Sequence, residues 1–362
     1  MTTDPSAELE RSDPAKSPRR MAALHDFWVR RRRLFWMLHS AWALLTGTAV
    51  VIIARERYHL VLWVVLFLVF TWLSTLFFGR GAGAEPAWLP GVDRRRAPPT
   101  MAHEVTSYFT RVMYQETLFF LLPFYTYSTV LDSPDVLFLG LLGGLAAFSC
   151  IDLVFDRWLR TRPIFGLTFF AVVAFAALNL LLPLVFGLRL RFATPAASLL
   201  ALAAAVPLAH RTIATPGGRL RLALAAVAFV ALPVGFPGLV PPVPLRLQRA
   251  TFSSSIDQRT LALGSALSSP VSSAVVGPVL VVVVEVFAPS ALPAQVVLDW
   301  TRDGISLHQS RDIEIVARRS GFRVWDSWRS PTGNIPPGKY EVVLRTQGNR
   351  VFGVAKLTVV GP

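Results

Sequence analysis

Seven apolar stretches, parted by short polar breaks, fill the first 240 residues; after them the pattern changes to short alternating runs punctuated by turn residues. The hydrocarbon core of a bilayer is about 30 Å thick, so a spanning helix needs roughly 20 mainly apolar residues. Stretches of that kind run Leu34 to Ala54, Tyr58 to Phe78, Phe109 to Leu131, Val136 to Phe155, Ile164 to Phe186, Phe192 to Ala209 and Leu220 to Val240. The sixth is the weakest. Its unbroken apolar part begins only at Ala196, and Pro207 would kink or end it, leaving a re-entrant or tilted element as the alternative.

From Pro241 the pattern is that of strands. Pro241, Pro242 and Pro244 cannot extend a helix and favour an extended exit. Val279 to Phe287 is apolar on both faces, as a central strand would be, and the runs either side of Arg302, Asp303 and Gly304 read as a hairpin. Phe322 to Trp328 adds a half-buried strand, and Lys339 to Thr346 with Arg350 to Val360 forms a second hairpin across Gln347, Gly348 and Asn349. Val275 to Ala288 is broken only by Glu285 and is open to reading as an eighth span. Its shortness and its valines favour a buried strand, as does the cost of an acid at a bilayer centre, about 2.5 to 3.5 kcal/mol.

The expected fold is therefore a membrane all-α bundle of about seven transmembrane helices followed by an all-β immunoglobulin-like or fibronectin-like sandwich. The divisions are a basic tail over residues 1–33, a transmembrane helical domain over 34–240, a proline-rich hinge over 241–250 and a soluble β sandwich over 251–362.

Charge orients this arrangement, because short cytoplasmic loops retain Lys and Arg. With the N-terminus inside there are eight basic residues up to Arg33, four from Arg80 to Arg96, then Arg157, Arg160, Arg162, Arg211, Arg219 and Arg221, which makes eighteen. The opposite loops hold only Arg55, Arg57, Arg189 and Arg191. An odd number of spans then delivers the β domain to the far side, the periplasm of a bacterium with an inner membrane. Nothing before Leu34 has the apolar segment of a cleaved signal, so the first helix is expected to stay as a signal anchor.

Composition agrees with a membrane protein: 53% hydrophobic residues, 16% charged and a mean hydropathy of +0.50. The net charge of +14 is almost wholly arginine and is used in loop topology, so it implies anionic lipid headgroups as neighbours and no nucleic acid. The single cysteine, Cys150, excludes an intramolecular disulfide and a cysteine metal site.

The order Trp300, Asp303, Gly304, then Gly321, Phe322, Arg323, Trp325 to Ser327, then Pro337, Gly338, Tyr340, Val342, Thr346 and Gly353 resembles the bacterial domain of unknown function 2914. The likeness covers about the last 80 residues, with Asp299 standing where a His is expected. Gln115 to Tyr125 and Cys150 to Arg157 look like the multi-pass segment that accompanies this domain in some proteobacterial membrane proteins. Such a family implies a location and a fold, and carries over no catalytic residue.

Enzyme motifs do not emerge. His25, His39, His59, His103, His210 and His308 are scattered without metal-ligand spacing, and no P-loop, dinucleotide fingerprint or nucleophile elbow occurs, so no catalytic residue, metal or cofactor is assigned. Two constellations remain. Arg111, Gln115 and Glu116 on the third stretch would meet Asp152 on the fourth, either as a proton relay or coupling site or as a structural lock between helices. Gly140 and Gly144 supply a small-residue packing face on that fourth stretch. The second constellation, Arg318, Arg319, Arg323, Trp325, Trp328 and Arg329, is a basic and aromatic surface for an anionic envelope ligand or protein, or else core tryptophan beside solvated arginine. The chain reads as a non-catalytic envelope binding, scaffold or sensory component. The rival reading is a transporter or membrane-embedded enzyme using Glu116 and Asp152.

Overall fold

The computed structural model describes residues 101–150, 163–209, 216–257, 259–260, 262–288, 294–315 and 322–361, together with Leu38, Ala41, Trp42, Leu45, Ala49 and Leu66. The chain divides into two compact units, Met1–Thr48 and Ala49–Pro362. In the first unit Leu38, Ala41, Trp42 and Leu45 are helical. All other structure described here lies in the second.

Among the described residues the second unit holds five long helices, α1 (Met101–Ser128), α2 (Val136–Ser149), α3 (Pro163–Phe186), α4 (Leu190–Ala209) and α5 (Pro216–Gly235). Their neighbours follow chain order, α1 against α2, α3 against α4 and α4 against α5, with α3 also meeting α1. Aromatic rings fill the space between them. Tyr114 of α1 meets Phe169 of α3 edge-on at 5.3 Å, and Phe138 of α2 bridges Tyr125 and Phe175 at 5.3 and 5.7 Å. Such offset and edge contacts suit the ring quadrupole.

The expected seven-helix membrane bundle is corrected by this structure. Among the described residues there are six helices, one of them only the four-residue α6 (Ser273–Val276), and just two stretches, Ile164–Phe186 and Gly217–Gly235, are long and apolar enough to cross a membrane. The physical reason is where the helices stop. α2 ends at Ser149 after 14 residues, about 21 Å of rise, and the apolar part of α4 ends at Val206. The expected spans Leu34 to Ala54 and Tyr58 to Phe78 fall almost wholly outside the described residues. Much of the remaining chain is β structure, not membrane helix.

That β structure has two main sheets. The first pairs β10 (Phe322–Arg329), β6 (Val279–Phe287), β1 (Arg246–Ser253) and β4 (Ala266–Leu267), in that order and antiparallel. The second runs β5 (Val271–Ser272), β12 (Val351–Val360), β11 (Gly338–Thr346), β7 (Ala294–Arg302) and β8 (Ile305–Gln309), with β9 (Ile313–Ile315) paired to β7. A small third sheet joins β2 (Ile256–Asp257) to β3 (Ala262–Leu263). The stretch Val275 to Ala288, open to two readings in the sequence, holds β6, hydrogen-bonded on both edges to β1 and β10. β5 and β12 run parallel.

The two sheets share one core. Alternate residues Val282, Val284 and Val286 of β6 face Leu298 and Trp300 of β7 and Tyr340, Val342 and Leu344 of β11. Trp300 is fully buried, edge-on to Phe252 at 6.3 Å, and its indole N–H donates to Asp326 Oδ2 at 2.9 Å. The hairpin turns follow backbone chemistry: Asp303 and Gly304 both take positive φ between β7 and β8, as does Asn349 between β11 and β12.

The proline-rich segment is not an open hinge. Residues 240–245 are all buried; Val240 and Val243 belong to the helical core, while Leu245 belongs to the β core along with Leu190 from the start of α4. The two cores therefore meet through a connector that is packed on both sides. At Gly353 of β12 the sheets approach so closely that a Cβ would lie 2.5 Å from Leu247 Cβ. Gly353→Ala is expected to destabilise the protein by about 1–3 kcal/mol through overpacking, read as a lowered unfolding midpoint of the full chain. An unchanged midpoint would mean that β1 and β12 are not held together there.

Candidate functional site

The least expected arrangement lies where helices and sheets meet. Tyr125 comes from α1, Asn179 from α3, Thr194 from α4, and Arg350 from the turn between β11 and β12. Arg350 donates to Thr194 Oγ1, Thr194 Oγ1 donates to Asn179 Oδ1 at 2.8 Å, Asn179 Nδ2 donates to Tyr125 Oη at 3.3 Å, and that hydroxyl donates to the Ala176 carbonyl at 2.9 Å. Each hydroxyl accepts one bond and passes one on. The relay thus runs in a single direction from the β domain into the helical core, an order in which neighbouring bonds polarise one another.

Electrostatics make this relay costly. Arg350 is 4% exposed, none of the relay groups is a carboxylate, and its Nε has no hydrogen-bond partner among the described residues. Burial pushes the Arg350 guanidinium down to about 10, against a smaller upward pull from Tyr125. At neutral pH the group is charged both folded and unfolded. Because the folded value is the depressed one, the burial cost is fully present at neutral pH and is relieved only as pH rises above about 10.

Exposed contacts surround the buried one. Arg191 of α4 donates to Gln347 Oε1 at 3.2 Å, the Arg246 guanidinium lies 4.7 Å over the Tyr127 ring, and Lys356 of β12 pairs with Asp132 of the α1–α2 connection at 2.9 Å. The hydrogen bond to Asp132, then the charges of Asp132 and Glu341, raise the Lys356 pKa. Water screens such a pair, so the buried relay carries more of the junction's specificity.

The first sequence constellation is only partly placed. Gln115 is buried on α1 and donates to Cys150 Sγ at 3.2 Å, and Glu116, the next residue along, is half-buried. Arg111 lies on α1 with its side chain outside the described residues, and Asp152 lies outside them altogether. The second constellation divides across β10. Arg323 pairs with Glu285 at 2.8 Å, and alternation puts Trp325 and Arg329 on that same outer face. Trp328 faces the other way, packing on the core with its ring 5.9 Å from Tyr340. Arg318 and Arg319 lie outside the described residues. Asp299, at the position where the resemblance expects His, pairs with Arg345 at 2.7 Å. Among the described residues no group of three or more His, Cys, Asp or Glu could hold a metal ion.

Sequence reasoning missed the relay. One signal was available: Asn179 is the single amide in the 24 residues of α3, where an unpaired polar group would be costly. Asn179 is 15 residues from Thr194 and 54 from Tyr125, and Thr194 is 156 from Arg350, beyond any spacing rule.

The relay predicts an asymmetry between two substitutions. Thr194→Val strands a buried cation without its acceptor and is expected to cost about 1–3 kcal/mol. Arg350→Met removes the cation itself and is expected to cost less, within about 1 kcal/mol of neutral, since an apolar isostere escapes the desolvation penalty. Unfolding midpoints of the two variants of the full chain decide; equal losses would mean the charge contributes net stability.

None of the curated proteins matches this chain. A family match reaches from the N-terminal tail past β5 into α6, and so takes in the five long helices among the described residues and the strands β1 to β5. The family is not the domain of unknown function 2914, whose resemblance concerns the last 80 residues and lies beyond the match. The matching model is that of a family of unknown function, DUF5924, over residues 18–275, more than half of the 362 residues, and the chain belongs to that family.

Proposed function

We propose that the protein is a non-catalytic membrane component in which an extramembrane β domain is locked onto membrane-embedded helices, so that binding at the domain is felt within the helices. The observation that carries this reading is the buried relay from Arg350 to the Ala176 carbonyl, backed by the packed connector at residues 240–245. A tethered domain that merely displays a surface needs neither.

The membrane location is supported by α5. Gly217–Gly235 is apolar, yet none of its residues is fully buried; Leu222 and Phe229 pack on the helical core, while Leu220, Leu224, Val227 and Leu232 are all exposed. A water-facing protein rarely leaves so much contiguous apolar surface uncovered, whereas a hydrocarbon layer would cover it. Orientation is supported by charge. Helix ends beside the β domain are flanked by Arg189 and Arg191, while the sequence between α2 and α3 holds Arg157, Arg160 and Arg162, and that from the end of α4 into the first turns of α5 holds Arg211, Arg219 and Arg221. Retention of the arginine-rich side in the cytoplasm leaves the β domain in the periplasm of a bacterial inner membrane. Its partners there would be membrane lipids and an anionic ligand or protein of the envelope, with Arg323, Trp325 and Arg329 offered on the outer sheet face.

The test is C-terminal fusion of the full chain to alkaline phosphatase and, separately, to green fluorescent protein. Active phosphatase with a dark fluorophore is expected. A fluorescent fusion with inactive phosphatase would put the β domain in the cytoplasm and remove the envelope reading.

A further inference from the structure

We propose that the cleft between the start of α4 and the β11–β12 turn binds a phosphate oxyanion; the proposal rests on the reading of a coupled β domain and names the ligand class of that junction. The cleft is small, a cavity of about 30 Å³, and is partly open to solvent. Arg189 and Arg191 form one wall, and Gln295, Gln347 and Gly348 form the other.

Three observations converge on an anion. Both arginines are exposed at the cleft, and neither forms an ion pair among the described residues; Arg191 holds only the neutral Gln347 amide and stacks on Phe192 at 4.6 Å. A third cation lies close by. Arg350 closes the same turn, its carbonyl accepting from Thr346 N at 2.9 Å, and its buried guanidinium reaches Thr194, one helical turn beyond Leu190. Among the residues that line the cleft, the exposed Glu314 is the one carboxylate against Arg189 and Arg191. The positive charge is therefore undercompensated where α4 begins.

The donor set fits phosphate rather than a halide. Two guanidinium forks and two side-chain amides, converging from separate elements, can satisfy several oxygens of one tetrahedral group. Such a group arrives either as free phosphate or as the headgroup of an anionic lipid. Occupancy would draw Arg191 from Gln347 and place counter-charge near Arg350, so the ligand acts on both ends of the junction.

The experiment uses the full-length protein in uncharged detergent, titrated with inorganic phosphate at constant ionic strength, followed by native mass spectrometry after reconstitution in phosphatidylglycerol or phosphatidylcholine vesicles. Saturable phosphate binding, weakened about tenfold or more by R189Q with R191Q and unaffected by R259Q, which replaces an exposed arginine between β2 and β3 that does not line the cleft, supports the free ion as ligand. Retention of phosphatidylglycerol but not phosphatidylcholine, lost in the same double variant, supports the headgroup. Absence of both, or an equal loss in R259Q, overturns the proposal. Both arginines are exposed, so their replacement leaves the fold intact, and unchanged unfolding midpoints check this. The phosphate arm requires no bilayer, so a chain that proves to need no membrane would end the membrane reading while leaving this one decided on its own data.

Discussion

A buried guanidinium without a carboxylate is the constraint on which the junction depends. Arg350 leaves water when the β11–β12 turn docks on α4, and among the described residues its compensation is a file of neutral hydroxyl and amide groups. Neutral donors and acceptors spread a charge less well than a carboxylate would, so the geometry tolerates little movement. The same constraint explains why the connector between helices and sheets is packed. If residues 240–245 were mobile, the turn could withdraw Arg350 into water and recover its hydration. Burying Val243 in one core and Leu245 in the other removes that option.

The sheets make the docking surface stiff. β6 lies between β1 and β10, and β11 between β7 and β12, so the turn bearing Arg350 is the tip of a hairpin whose β11 strand is central in its sheet. Trp300 at the centre of the shared core is tied by its N–H to Asp326 of the opposite sheet, which fixes one sheet against the other. A displacement at the tip is therefore passed to the whole domain rather than absorbed in a loop.

Sequence patterning reached much of the β half and little of the junction. The valine run of β6, the Asp303-Gly304 and Gly348-Asn349 turns and the alternation along β11 are local signals, and local signals decide strands and hairpins. Alternation also implied that Trp325 and Trp328 part company, though it could not tell which of the two enters the core. Hydropathy overcounted the membrane helices because it measures transfer of residues and not where a helix ends: nothing in Val136 to Phe155 marks the stop at Ser149. The relay was unreadable for another reason. Thr194 and Tyr125 are unremarkable at their places in the chain, and only the tertiary approach of α1, α3, α4 and a distant turn makes a site of them.

The direction of the relay follows from its charged end. A cation can only donate, so Thr194 Oγ1 must accept from Arg350 and turn its own proton onward. That proton requires an acceptor, which sets the Asn179 amide with Oδ1 towards Thr194 and Nδ2 towards Tyr125. Tyr125 in turn must donate to Ala176. Flipping the amide would set donor against donor at Thr194, so the orientation of a side chain inside α3 is dictated from the β domain. That dependence is what distinguishes this junction from a screened surface ion pair such as Lys356 with Asp132, whose partners can exchange for water without consequence for the helices.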